Sequence, residues 1–239
     1  MFRKTPESVA RRQAREARKG PIDLSTEKGR KRAHYELTWG DHGFLRAKFR
    51  NLHQISDEMW RANQPSPIQV KAYAEELGIK TILNLRGESP KGYYLLEKEA
   101  CEANGIELVD FQVFSRDTPT RERIFEADEL FQKIKYPALM HCKSGADRAG
   151  IMSVLYKTLR EGVPVSEAKQ QLSFDYLHIK HGKTGVLDAV FEAYEDFNAK
   201  TPISFRDWVS EHYDREAIKA EFLASGRGKL KLDQLLRRE

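Results

Sequence analysis

An α/β fold, with a central, mainly parallel sheet flanked by helices and a helical C-terminal part, is what this 239-residue sequence predicts. Three observations predict it. Between about residues 55 and 160, short apolar β-branched runs alternate with amphipathic stretches, the rhythm of strand–helix–strand crossovers. The run 79–85 is strongly apolar apart from Lys80, as a strand covered on both faces should be. From Ser166 onward only helical periodicity remains.

Taken in order, Tyr35, Leu37, Trp39, Phe44, Leu45 and Phe49 mark residues 33–52 as a helical lead-in whose aromatics are expected to be buried. Residues 59–62 read as an edge strand. Pro65 and Pro67 open a helix over 68–77, which Gly78 closes. The strand at 79–85 follows, then a helix over 93–103 ended by Asn104-Gly105, then a strand over 106–114. Thr118-Pro119 starts a helix in which Ile124, Ala127, Phe131 and Ile134 share one face. Residues 136–141 form a buried strand. Ile151, Val154, Leu155 and Leu159 recur at helical spacing until Gly162 and Pro164. Further helices are predicted over 166–178, 185–199 and about 204–224.

Charge divides the chain. Residues 1–32 hold 11 Lys/Arg against 4 Asp/Glu, a net of +7, whereas the whole chain carries +5. The division expected is a basic, disordered arm over 1–32, one α/β domain over 33–225 and a basic end over 226–239. The arm suits contact with an anionic membrane surface. Its one aromatic is Phe2, and no folded face interleaves basic and aromatic residues, so a nucleic-acid partner is not expected. No apolar run approaches the ~18 residues of a membrane span, and no apolar leader opens the chain. Two cysteines, Cys101 and Cys142, give neither a disulfide framework nor a zinc site, and a thiol that must stay reduced suits the cytoplasm. Cys101 reads as a small buried residue.

The stretch that carries chemistry is His141-Cys142-Lys143-Ser144-Gly145-Ala146-Asp147-Arg148-Ala149-Gly150. It runs from a strand through a tight loop into a helix. Backbone N–H groups of Lys143, Ser144, Gly145, Ala146, Asp147 and Arg148 can converge at the helix start and cradle a phosphate. The same partial positive charge favours the thiolate of Cys142, a nucleophile. Arg148 supplies a planar fork for two phosphate oxygens. The plain alternatives are an inert buried thiol, a surface ion pair and a satisfied buried His141. Lys143 adds positive charge to the rim, and Arg86, Arg116, Lys180, His181 and Lys183 are further basic candidates.

These residues resemble the cysteine-dependent phosphatases of the protein tyrosine and dual-specificity superfamily. The resemblance rests on His141, Cys142, Gly145, Arg148 and Gly150, and upstream on Arg61-Ala62-Asn63-Gln64-Pro65-Ser66 and Leu83-Asn84-Leu85-Arg86-Gly87-Glu88. It covers roughly residues 50–200 and is closest to the small atypical dual-specificity phosphatases of fungi, plants and bacteria. It implies a protein tyrosine phosphatase-like fold and a phosphomonoesterase that uses neither metal nor cofactor. Cys142 would form a phosphocysteine, Arg148 would hold the phosphoryl oxygens, and His141 would orient the loop. The general acid would be Asp117, from the loop after the 106–114 strand, or Asp147, inside the signature; either could instead cap the following helix. Substrates implied are phosphotyrosine and phosphoserine/threonine proteins, or a phosphorylated lipid or inositol. Ala149 stands where the family usually has Ser or Thr, whose hydroxyl aids departure of the thiolate. A catalytically weak phosphate-binding module is therefore the alternative; a rhodanese-like sulfur carrier, which needs no Arg at this place, ranks lower.

Overall fold

The structure, a computed structural model, describes residues 20–227. The expectations for residues 1–19 and 228–239 lie outside it. Of the segment expected to be a solvated arm, residues 20–32 are seen, and they include the start of a helix. Thr26 caps α1 (Glu27–Tyr35), its side chain accepting from the Gly29 N–H. The Arg30 guanidinium forks onto Glu99 at 2.9 and 2.7 Å. Ala33 packs so tightly on Gly92 that a Cβ there would lie 2.4 Å from the Ala33 Cα.

A wide π-type turn, Glu36–Gly40, leads to α2 (Gly43–Lys48). The burial expected for the aromatics here is not found. Leu37 is buried, but Tyr35, Trp39, Phe44, Leu45 and Phe49 are exposed. For Phe44 and Leu45 the reason is local: α2 turns Arg46 inward onto Asp41, at 2.8 Å, and so faces its apolar side chains outward.

The α/β part follows. β1 (His53–Gln54) pairs antiparallel with β2 (Met59–Asn63), so β2 is covered and is not the edge expected. Ser66 and Gln69 form a reciprocal capping box at the start of α3 (Pro67–Leu77), and Gly78 ends it in the left-handed conformation. Then come β3 (Thr81–Asn84), α4 (Gly92–Ala103) and β4 (Glu107–Asp110), the strands shorter than their apolar runs. Thr120 caps α5 (Arg121–Lys133), after which β5 (Ala138–Cys142) enters the sheet. α6 (Asp147–Leu155) continues through a π-type turn to Arg160.

The C-terminal part is helical but more broken than its periodicity suggests. The stretch 166–178 holds only α7 (Val165–Ala168) and single turns, because the backbone leaves the helical region at Leu172 (ψ 63°) and is extended at Ser173, and Leu177 then ends the next turn in a left-handed conformation at φ 66°. α8 (Val186–Asn198) matches its expected span. The long helix expected at 204–224 is two, α9 (Phe205–Glu211) and α10 (Arg215–Ala224), because the Asp214 side chain accepts from the N–H groups of Glu216 and Ala217 and starts a new helix.

The sheet order is β1-β2-β5-β3-β4, with β5 parallel to both neighbours and buried throughout. On one face, Leu83, Met140 and Cys142 share a core with Ile124 and Phe131 of α5, Val154 of α6, Val190 of α8, and Trp208 and Phe222 beyond. On the other, Ala62, Ile82 and Leu139 meet Val70 and Tyr73 of α3 and Cys101 of α4. Burial pushes the Cys101 thiol pKa up, leaving it a packing residue.

Candidate active site

The central strand ends at Cys142, which is buried, and the chain turns at once through Lys143–Ala146 into α6. What shapes this turn is the fate of its carbonyls. The Lys143 carbonyl accepts from the Gln64 N–H at 3.4 Å. Asn51 Nδ2 donates to the Ser144 carbonyl at 2.9 Å. Arg61 Nη2 donates to the Gly145 and Ala146 carbonyls at 2.7 and 2.9 Å. Four consecutive carbonyls are thus engaged by groups behind the loop. In a trans peptide the N–H points opposite to the C=O, so the amides of Ser144, Gly145, Ala146 and Asp147 face the other way. Those of Asp147 and Arg148 also belong to the first turn of α6, where N–H groups lack helical partners.

Two glycines make the turn possible. Gly145 has φ 74°, and a Cβ there would sit 2.8 Å from the backbone C and O of Ala62. A Cβ on Gly150 would lie 2.7 Å from Leu172 Cδ2 and 3.1 Å from the Gln171 carbonyl. That carbonyl and the Gln171 Oε1 accept from Arg61 Nη1 at 2.7 and 2.9 Å.

Arg61 is therefore the pin of the loop, and its role was not legible in the sequence. It is fully buried, and Tyr176 lies under its guanidinium at 4.2 Å. Burial lowers its pKa to about 10, with Cys142, Tyr176 and Asp147 opposing the fall, so it stays charged at neutral pH. Arg148, by contrast, is half-buried and has neither hydrogen bond nor ion pair with any described residue. Of the two arginines at the loop, Arg61 of β2 is engaged through both Nη atoms, while Arg148 is open among the described residues.

His141 is buried in the strand with its Nε2 2.7 Å from Glu97 Oε1, which is equally buried. A polar chain continues outward from there. Gln64 Nε2 donates to Glu97 Oε2 at 2.7 Å, and Arg86 Nη1 donates to Gln64 Oε1 at 2.7 Å. Arg86 forks onto both oxygens of Asp41 at 2.8 Å, and Lys143 Nζ lies 3.5 Å from the same carboxylate. Burial would raise the Asp41 pKa, but Arg86, Arg46 and Lys143 together hold it below the usual carboxylate range. Of the other basic candidates, Lys180 pairs with Glu192 at 2.7 Å, and Arg116, His181 and Lys183 are exposed without partners among the described residues.

The two acid candidates sit in different electrostatic settings. Asp117 lies 2.8 Å from Arg215 Nη2 and 2.8 Å from Lys219 Nζ, both on α10. Partial burial favours its protonated form, yet the two cations outweigh that and hold its pKa down. It caps no helix; Thr120 does that. The surrounding loop is tied to the same region, Tyr213 donating to the Pro119 carbonyl at 2.7 Å. Asp147 Oδ1 meets His178 Nδ1 at 2.8 Å, and His178 Nε2 meets Asp188 Oδ2 at 2.7 Å. Burial alone would make His178 neutral, but the carboxylates at each ring nitrogen raise its pKa to about 9. Asp147 is thus next to a protonated imidazole, a pairing that no spacing in the sequence announced.

This strand–loop–helix turn, leaving the central strand of a mostly parallel sheet, goes with membership of the protein tyrosine and dual-specificity phosphatase class. The chain belongs to the family described as DSP-PTPase phosphatase fused to NAD+ kinase, which matches residues 48–185. It is 26% identical over 162 residues to the inositol diphosphatase DSP4 of Arabidopsis thaliana, covering 65% of this chain and 77% of that protein. Among solved structures it is similar to TpbA of P. aeruginosa, at 14% identity and TM-score 0.48, covering 73% of this chain and 91% of that one.

Proposed function

We propose that this phosphatase hydrolyses phosphate monoesters in two steps, with Cys142 as the nucleophile that takes the phosphoryl group. The observation that carries this reading is the loop whose four carbonyls are drawn backward while Arg148 has no partner among the described residues. Inward amides and an uncommitted guanidinium suit the equatorial oxygens of a phosphoryl group in flight. Arg61 adds a buried positive charge behind the same loop, and His141, braced against Glu97, fixes the strand end from which the sulfur projects.

For the proton that the leaving oxygen needs, we favour Asp147. Both carboxylates lie against cations that favour the ionised form, but Asp117 is held by two, Arg215 and Lys219, on α10, whereas Asp147 meets one, His178, and belongs to the phosphate loop itself. Ala149, fully buried in the first turn of α6, offers no hydroxyl to the departing thiolate, so hydrolysis of the phosphocysteine is the slower step. The weak phosphate-binding module is the limiting case of the same feature. The kinship with an inositol diphosphatase supports a small, multiply charged phosphate ester or a phosphorylated lipid headgroup alongside phosphoprotein.

The test is hydrolysis of a chromogenic aryl phosphate. Activity should persist in chelator, vanish in Cys142→Ser and be blocked by vanadate. Activity that survives Cys142→Ser rejects the mechanism. Asp147→Asn should slow alkyl phosphates about 10²-fold or more while sparing aryl phosphates with good leaving groups; if Asp117→Asn alone does this, the acid is Asp117.

A further inference from the structure

α2 is built inside out. Its one buried side chain is Arg46, while Phe44, Leu45, Ala47 and, just after it, Phe49 are exposed. Trp39 joins them, 58% exposed, with its ring 5.3 Å from that of Phe44. An apolar recess of about 280 Å³ opens beside them, walled by Leu37, Phe44, Pro67 and Ile68, and Ile68 is itself 82% exposed.

A second apolar projection is tied to the phosphate loop through the Tyr176 carbonyl. Phe174, Leu177 and Ile179 are exposed on the turn that carries His178, the partner of Asp147. Leu177 is held there in the left-handed conformation, which a leucine rarely adopts. One residue joins both projections to the loop: Asn51 Nδ2 donates to the Ser144 and Tyr176 carbonyls, two positions after Phe49.

The cations lie among these apolar groups. Between His42 and Arg50 there is no acidic residue, and Lys48 and Arg50 are exposed. The second turn, 173–185, has Asp175 as its one acid against Lys180, His181 and Lys183. Lys143 is on the loop itself, 3.5 Å from Asp41. A folded face interleaving rings with cations is not expected from the sequence; the one formed here mixes them with exposed Leu45, Leu177 and Ile179, aliphatic groups that suit the interfacial zone of an anionic bilayer, where rings settle at the headgroup level and cations meet lipid phosphates.

We propose that the α2 aromatics and the 174–179 turn form a membrane-docking surface that seats the mouth of the site on an anionic bilayer. The recess beside Phe44 and Ile68 receives apolar lipid surface, and Lys48, Arg50 and Lys183 contact headgroups. Binding stands apart from the phosphatase reading; only the purpose, presenting a phosphorylated headgroup to the cradle, rests on it.

The experiment is co-sedimentation of the full chain with vesicles of equimolar phosphatidylserine and phosphatidylcholine, against phosphatidylcholine alone. The chain should bind the anionic vesicles. Trp39→Ser with Leu45→Ser, and separately Leu177→Gly, which keeps the left-handed backbone, should each weaken binding at least tenfold. Aryl phosphate hydrolysis should stay at the parent level, so loss of docking and loss of the active site are read separately. Undiminished binding by both variants, as when residues 1–32 alone make the contact, overturns the proposal. So does equal binding to neutral vesicles, or a change of oligomeric state in the variants with vesicle binding intact.

Discussion

Arg61 shows how a single side chain governs chemistry it does not perform. Its five-donor fork meets acceptors on two segments far apart in the chain, the 145–146 loop and Gln171. Lysine carries the same charge but cannot reach four acceptors in a plane. Arg61→Lys should lower kcat/KM for aryl phosphate at least about tenfold and slow alkylation of Cys142, while Arg61→Met should also cost about 3–5 kcal/mol in denaturant unfolding, as expected for breaking a buried charged network. Gly145→Ala should deform the cradle directly, since its Cβ meets backbone and not a side chain that could turn aside. Cys142, Arg148 and the two glycines could be picked out from the sequence because they crowd into ten residues. Arg61 and Gln171 could not, being 110 positions apart. Read by itself, an arginine in a short strand looks like an edge.

At the scale of elements, the start of α6, the 174–179 turn and α8 are joined by Asp147, His178 and Asp188. A histidine whose folded pKa, about 9, lies above its unfolded value of about 6.5 adds stability that is complete below pH ~6.5 and is lost as pH rises through about 9. The thermal midpoint should therefore fall between pH 7 and 9.5, by on the order of a few kcal/mol of stability, and His178→Gln should flatten that dependence. A midpoint that stays level over this range contradicts a charged His178. α10 acts on the opposite side. Lys219→Ala with Arg215→Ala should restore the Asp117 pKa toward the ordinary carboxylate range, visible in a carbon-detected NMR titration. Periodicity located these helices but not their breaks. The αL conformation of Leu177 has no local propensity behind it, whereas the cap at Asp214, a carboxylate accepting from the N–H groups of Glu216 and Ala217, is a local signal that the apolar periodicity of 204–224 overrode.

Over the whole molecule, β5 lies between β2 and β3, so the loop after it can be braced from both sides: by Arg61 and Gln64 from β2 and its exit, and by the chain leading to Arg86 beyond β3. The alternation of strands and helices predicted this layering, and the signature predicted which strand leads into the site. The helices beyond residue 185, outside the family match, are no appendage. Phe205, Trp208, Val209 and Phe222 share the core that contains Cys142. A chain ended at residue 200 should lose cooperative unfolding and resistance to limited proteolysis; a compact, active truncation would contradict that. The outward aromatics of 35–49 are what sequence reading placed on the wrong side, because composition reports how apolar a segment is but not which way it faces.

Asp41 adds one consequence. It sits between the wide turn and α2, yet its carboxylate offsets Arg86 and Lys143 at the rim. The counterion of the mouth is thus mounted on the same short lever as the outward rings of Trp39 and Phe44. A displacement of that segment would therefore carry the Asp41 carboxylate away from Arg86 and Lys143 and leave the rim more positive toward an incoming anion.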